Sequence, residues 1–168
     1  LLEAGGARLL LDCGLFQGEE AEERLQNTRF PFDPAEIDLV LLTHGHLDHV
    51  GLLPRLVREG YEGETISTPA TIDVAHPILL DSARLAARSS GDAPFLYSSE
   101  DVEKAISSTD CFPYGEEVLW RNGISFRFHD AGHILGSASI EVTVRRGGSV
   151  RRVVFSGDVG QAGMPILR

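Results

Sequence analysis

The segment from Leu41 to Pro54, LLTHGHLDHVGLLP, constrains this chain more than any other part of its sequence. It sets imidazole and carboxylate side chains between two aliphatic runs, at His44, His46, Asp48 and His49. Such groups are costly to bring to the border of a hydrophobic core unless they are bound to something. A single histidine here would suit a polar loop at a strand end. A cluster of four potential ligands favours a metal site instead.

The spacing of these residues excludes a ligand set carried by one helix, where converging ligands lie three or four positions apart. His44 and His46 are two apart, so an extended chain turns both to the same side. His49 can join them only if the chain bends near Leu47, where the apolar pattern changes from strand to helix. A bend that turns four ligands into one cavity suits two adjacent metal ions better than one.

The second half of the chain offers two more potential ligands. His133 lies in a glycine-flanked loop, HDAGHILGSA, after a predicted strand, and Asp158 follows another in VVFSGDVG. Both therefore occupy strand ends, as the first cluster does. His76, beside a proline in a helical stretch, is expected to be solvated or at the edge of the core. His129 is expected to belong to its strand, with a position beside the site as the alternative.

Apolar periodicity and capping residues predict alternating strands and helices. The predicted strands are a hairpin around Gly5-Gly6, a buried strand at Ile37–Leu42, and strands at Gly123–His129, Ala138–Val144 and Val153–Phe155. Two helices are predicted in the first part of the chain, a charged segment at Glu19–Arg29 and one from Val50 to near Gly60. A third runs from Thr68-Pro69 to about Arg88, and Pro77 kinks or restarts it. A fourth is capped by Ser98 and Asp101 and ends near Ser108. This order indicates an α/β layered domain.

Composition sets outer limits on the function. The 168 residues suit one domain with a substantial core, and a hydrophobic content of 42% excludes a disordered chain. No apolar run is long enough to cross a membrane.

The net charge of −10 argues against nucleic-acid binding through a basic surface of this segment alone. Bound cations and further segments would, however, change the local field. Cys13 and Cys111 are expected to be buried free thiols in a reducing cytosol.

Four strings in order, DCGLFQG, THGHLDH, AGHILGSA and FSGDVG, resemble the first four motifs of the metallo-β-lactamase fold. THGHLDHVGLLP together with GHILGSA resembles specifically the β-CASP branch of RNA-processing nucleases. The resemblance spans nearly the whole chain and implies an αββα sandwich with mixed sheets, an α/β (α+β) fold, truncated on its C-terminal side. Residues 1–168 would form a single partial domain that lacks the β-CASP insert and the C-terminal part, as expected of a piece of a longer protein.

The resemblance also implies two zinc ions and a ligand set for each. The first zinc would be held by His44, His46 and His133, the second by Asp48 and His49, with Asp158 bridging the pair. Asp12 matches the aspartate of the first motif and is expected to hydrogen-bond the ligand loop, the alternative being a simple cap of a strand-to-loop turn.

Complete family members carry a further histidine on the second zinc, beyond the fourth motif. Because this chain ends ten residues after Asp158, we expect the segment alone to bind the second zinc weakly or not at all and to show little nuclease activity.

The function implied is a zinc-dependent hydrolase of RNA phosphodiesters, acting as an endonuclease, a 5′-exonuclease or both, in the cytoplasm. A hydroxide shared by the two ions would attack phosphorus, with Asp48 and Asp158 as the catalytic carboxylates. The RNA would be gripped mainly by the absent β-CASP portion, with no membrane contact and an undetermined oligomeric state. The alternatives are a hydrolase of a small ester, thioester or lactone, and a non-catalytic RNA-processing scaffold.

Four arginines flank the predicted turn at Gly147-Gly148. They are expected to be ordinary solvated hairpin residues, with contact to a backbone phosphate as the alternative. They are Arg145, Arg146, Arg151 and Arg152.

Overall fold

The computed structural model describes residues 1–17, 27–88, 96–161 and 163. Its strands are β1 (Leu2–Ala4), β2 (Ala7–Leu11), β3 (Leu39–Leu41), β4 (Glu64–Ser67), β5 (Thr109–Cys111), β6 (Val118–Leu119), β7 (Ile124–Asp130), β8 (Ala138–Arg146) and β9 (Ser149–Phe155). Its helices are α1 (Leu47–Val50), α2 (Leu53–Arg58), α3 (Pro69–Arg88) and α4 (Ser99–Ser107), with a 3-10 turn at Pro34–Glu36. The charged segment predicted as a helix at Glu19–Arg29 lies largely outside the described residues.

The described strands form two sheets. The first has the order β1-β2-β3-β4-β5, with β1 and β2 antiparallel across the predicted hairpin and the other neighbours parallel. The second is antiparallel throughout, in the order β6-β7-β8-β9. The mixed α+β architecture predicted from the sequence is therefore confirmed.

Two hydrophobic cores lie on the two faces of the first sheet. Successive residues of β2 point to opposite faces, so Leu9 packs against the second sheet and Leu10 packs against the helices. Phe126 and Phe128 fill the core between the sheets. Among the described residues, the helices contribute to the outer core alone, which gives a layer order of helices, sheet, sheet.

The helix ends agree with the capping residues. The Thr71 amide donates to the Thr68 hydroxyl at the start of α3, and α4 begins with a reciprocal pair of bonds between Ser98 and Asp101. Helix α3 continues through Pro77 as one element, so the alternative of a restart there is wrong. No helix in the described ranges is long and apolar enough to cross a membrane.

One expectation about exposure needs correction. Cys13 is buried as expected, but Cys111 is exposed, because β5 is an edge strand of the first sheet. Arg145 is exposed as expected, and its guanidinium also contacts the Ser125 hydroxyl at 2.7 Å and the Glu117 carboxylate at 2.8 Å. Arg152 lies 3.8 Å from Glu141.

Candidate metal centre

The six residues predicted as ligands, together with Asp12, all follow strand ends that meet at one edge of the sandwich. Asp12 directly follows β2, and the first histidine cluster follows its parallel neighbour β3. His133 and Asp158 follow β7 and β9, which flank β8 and both run antiparallel to it. The Ala138 amide donates to the Thr43 carbonyl at 2.8 Å and joins the two sheets at this edge.

Three ring nitrogens converge at the centre of this edge. His46 Nδ1 lies 3.0 Å from His44 Nε2 and 3.2 Å from His133 Nε2. A tetrahedral zinc ion with ordinary Zn–N bonds places its nitrogen ligands about 3.3 Å apart. One ligand atom from each of these histidines and one from Asp158 all lie within 4.8 Å of one another. The residues therefore fit a bound cation.

Asp158 connects this cluster to a second group of ligand atoms. Its Oδ2 lies 3.8 Å from His44 Nε2 and 3.5 Å from His133 Nε2, whereas its Oδ1 lies 3.4 Å from His49 Nε2. His49 Nε2 is in turn 3.7 Å from Asp48 Oδ2. The two oxygens of one carboxylate thus face two neighbouring groups of potential ligands.

Asp12 lies behind this second group and organises the loop after β3. Its Oδ1 accepts from the Thr43 amide, and its Oδ2 accepts from the Thr43 hydroxyl and from His49 Nδ1. Each of these three distances is 2.7 Å. A carboxylate accepts but does not donate, so the proton of the His49 ring lies on Nδ1. This leaves the lone pair of Nε2 directed toward Asp48 and Asp158.

The environment of His44 keeps its imidazole neutral. Its side chain has no exposed surface, and burial together with the neighbouring His49 and His46 lowers its pKa to about 4. The Thr43 hydroxyl gives its one proton to Asp12, so it accepts from His44 Nδ1 at 3.0 Å. For His49, the hydrogen bond with Asp12 raises the pKa above its usual value.

Sequence reasoning missed the hydroxyl groups that contact these potential ligands or their loops. Thr43 was not singled out, although it directly precedes the histidine cluster. Ser137 was also overlooked; it is fully buried, and its Oγ accepts from the backbone amide of His133 at 3.0 Å. The signal available in the sequence was position alone, since Thr43 adjoins His44 and Ser137 closes the glycine-flanked string that contains His133. The other histidines lie outside the cluster, with His76 paired to Glu103 and His129 to Glu141.

The fold brings a cluster of potential metal ligands to one edge of a two-sheet sandwich. Residues 1–167 match the family model of the Metallo-beta-lactamase superfamily. The chain therefore belongs to the metallo-β-lactamase superfamily, as the sequence resemblance implied.

Two of the relatives described below carry ribonuclease names, and a third is named as a transcription termination factor. The chain is 44% identical over 167 residues to ribonuclease TTHA0252 of Thermus thermophilus, covering 99% of this chain and 36% of that protein. It is 38% identical over 160 residues to transcription termination factor FttA of Methanosarcina mazei, covering 94% of this chain and 24% of that protein. It is 30% identical over 161 residues to an RNase J-like protein of Methanocaldococcus jannaschii, covering 95% of this chain and 32% of that protein. The chain thus spans about a third or less of these relatives' length, and their names agree with the RNA-processing branch of the resemblance.

Solved structures support the fold independently of these names. A metallo-β-lactamase of Cronobacter sakazakii with a HARLDQ motif matches 99% of this chain and 54% of that chain, with a TM-score of 0.56 and 19% identity. A B3 metallo-β-lactamase with an active-site glutamic acid matches 98% of this chain and 60% of that chain, with a TM-score of 0.56 and 21% identity. At this level of identity the likeness concerns the fold alone.

Proposed function

We propose that this chain is part of the catalytic domain of a zinc-dependent hydrolase of RNA phosphodiester bonds, cleaving internally, from the 5′ end, or both. One observation carries the proposal: the carboxylate of Asp158 lies between a three-histidine cluster and the Asp48–His49 pair. The relatives named as ribonuclease and RNase J-like protein support RNA as the substrate.

The donor set favours zinc over magnesium. Imidazole nitrogens predominate in the cluster, and magnesium prefers a shell of oxygen ligands. We assign one ion to the first three histidines and a second to the Asp48–His49 pair, with Asp158 shared. The ligands proposed are His44, His46 and His133 for the first ion and Asp48 and His49 for the second.

The residues around the cluster prepare it for such a role. When bound, zinc supplies Lewis acidity toward a phosphodiester and lowers the pKa of a water molecule that it coordinates. Asp12 and Thr43 hold the Nδ1 protons of His49 and His44, so that both Nε2 atoms are presented without a proton. Asp48 has a half-exposed carboxylate and is the second catalytic carboxylate of the proposal, after Asp158.

We further propose that residues 1–168 form one partial metallo-β-lactamase domain and that RNA is gripped mainly by a β-CASP portion outside it. Binding of a phosphate backbone is driven largely by Lys and Arg contacts. The net charge of −10 supports a grip located elsewhere. We place the protein in the cytoplasm, where the exposed thiol of Cys111 stays reduced.

The test uses the full-length protein, with elemental analysis of bound metal and cleavage of 5′-labelled RNA. We expect two zinc ions per chain and a loss of cleavage of at least about 100-fold in Asp158→Asn, because even residues that only orient ligands contribute 10- to 100-fold. His76→Gln, which lies outside the cluster, should cleave normally. Undiminished cleavage by Asp158→Asn would contradict the proposal.

The same preparation separates the alternative functions. Hydrolysis of a thioester or lactone panel with RNA left intact would favour a small-molecule hydrolase. A protein that binds zinc but hydrolyses neither class of substrate would favour a scaffold.

A further inference from the structure

The loop that carries His133 has no helix or strand, yet it is tied down at its far end. Ser137 ends this loop, and its Oγ accepts from the amides of His133 at 3.0 Å and Ile134 at 3.2 Å. The Ser137 carbonyl accepts from the Ala131 amide at 3.1 Å and closes the loop on itself. The position of the His133 ring therefore depends on where the Gly136–Ser137 backbone is held.

Two threonine hydroxyls at the start of α3 bind this backbone from outside. Thr68 Oγ1 donates to the Gly136 carbonyl at 2.7 Å, and Thr71 Oγ1 donates to it at 2.8 Å. Both threonines are buried, with exposed fractions of 2% and 0%. A carbonyl oxygen has two lone pairs, so it can accept both bonds.

The contact between the loop and the helix is also a backbone contact. Gly136 has a φ of +82°, and a Cβ added there would lie 2.3 Å from the Thr71 amide nitrogen. No side chain fits between the two segments. The first turn of α3 therefore acts as a rigid support for the loop.

A third hydroxyl reaches the loop from the segment after β5. Tyr114 Oη donates to the Ser137 carbonyl at 2.9 Å. Burial raises the pKa of Tyr114 to about 12, so its phenol keeps the donated proton at neutral pH. Since Tyr114 is partly exposed, its hydroxyl can be removed with little effect on the core.

We propose that Thr71 and Tyr114 are positioning residues for the metal ligand His133. Their hydroxyls hold the carbonyls of Gly136 and Ser137, which keeps His133 Nε2 within 3.2 Å of His46 Nδ1. A loop without these bonds would have to be ordered at the moment of binding, at the cost of part of the affinity. The inference rests on the metal centre of the proposed function.

The test compares Thr71→Val, Thr71→Ser and Tyr114→Phe with the parent chain. Zinc affinity is measured by competition with a chelating indicator, and the geometry of the site by the visible absorption of bound Co²⁺. We expect Thr71→Val and Tyr114→Phe each to weaken zinc binding about tenfold and to alter the Co²⁺ spectrum. Thr71→Ser keeps the hydroxyl and should restore both.

Thr143→Val is the matched control. It removes a buried hydroxyl from β8, at a position that pairs with Ser125 in the second sheet. We expect it to leave zinc affinity and the Co²⁺ spectrum unchanged even if its unfolding temperature falls as far as that of Thr71→Val. Such a result separates positioning from general stability.

Three results would overturn the inference. The first is parent-like zinc affinity in folded Thr71→Val and Tyr114→Phe, and the second is binding by Thr71→Ser as weak as that of Thr71→Val. The third is no metal binding by the parent chain, which would overturn the proposed metal centre as well. If Thr71→Val does not fold, Tyr114→Phe alone decides between the outcomes.

Discussion

His49 donates from Nδ1 to Oδ2 of Asp12 over 2.7 Å, across 37 positions of sequence. The same oxygen accepts the hydroxyl of Thr43, the residue that directly precedes the histidine cluster. A metal-ligating imidazole is usually oriented by the partner of its other nitrogen. The loop after β2 therefore sets the direction in which the loop after β3 presents its proposed ligands.

Asp12→Asn should weaken zinc binding by about 10- to 100-fold. Asparagine tolerates the positive φ of this residue, 60°, but its NH₂ group replaces one of the two accepting oxygens. If the NH₂ group replaces Oδ1, the Thr43 amide loses its acceptor, and if it replaces Oδ2, the Thr43 hydroxyl and His49 Nδ1 both lose theirs. Chelator competition measures the change, with Asp33→Asn as a control because asparagine caps a helical turn as well as aspartate does. Parent-like affinity in Asp12→Asn would show that the carboxylate does not orient a ligand.

Calorimetric titration of the isolated chain with zinc should give one tight site and a second that is weak or not detectable. The first cluster combines three imidazoles with Asp158, whereas the second has Asp48, His49 and the shared carboxylate. His133→Ala should remove the tight site. Two tight sites in the parent chain would contradict this prediction.

Gly157→Ala should destabilise the fold and also weaken zinc binding. Gly157 has a φ of +55°, and an added Cβ would lie 2.8 Å from Cβ of Thr43. The matched control is Gly147→Ala, at a φ of +56° with open space around it, which should cost only the backbone strain of about 1–2 kcal/mol. Urea unfolding gives both free energies. Equal losses in the two variants would show that the contact with Thr43 is readily relieved.

Phe128→Ala should lower the free energy of unfolding by about 3–5 kcal/mol, the usual cost of emptying a large buried site. Phe128 has an exposed fraction of 0% and lies between the two sheets. Val154→Ala, on the exposed strand β9, should change it by less than about 0.5 kcal/mol. Denaturant titration followed by circular dichroism compares them. A small loss in Phe128→Ala would mean that the inter-sheet core is not the main source of stability.

Glu117→Gln should lower the unfolding temperature in a pH-dependent way. The Ser125 hydroxyl and the Arg145 guanidinium lower the pKa of Glu117 below its ordinary value of 4.5. A depressed carboxyl pKa adds stability that is present above pH 4.5 and is lost as the pH falls through the folded-state value. Melting curves of parent and variant should therefore differ at neutral pH and converge in acid. A difference that is constant with pH would exclude ionisation as its cause.

Elements that depend on neighbouring residues were predictable from the sequence. The strand alternation at Gly123–His129 and Ala138–Val144 and the capping pair Ser98 and Asp101 are local patterns, and each appears in the structure within a few residues. The exposure of Cys111 was predicted wrongly because burial depends on a strand's place in the sheet, which no local pattern encodes.

The sequence by itself determined which groups are available as ligands, because imidazoles and carboxylates at strand ends are visible as residue types and spacings. Tertiary structure alone decided how they are held. Thr71 reaches the loop of His133 across 65 positions, and Asp12 reaches His49 across 37. Hydrogen bonds between segments so far apart depend on sheet order and on close backbone contact at Gly136. Sheet order and this backbone contact arise only when the two sheets and the helix layer pack together.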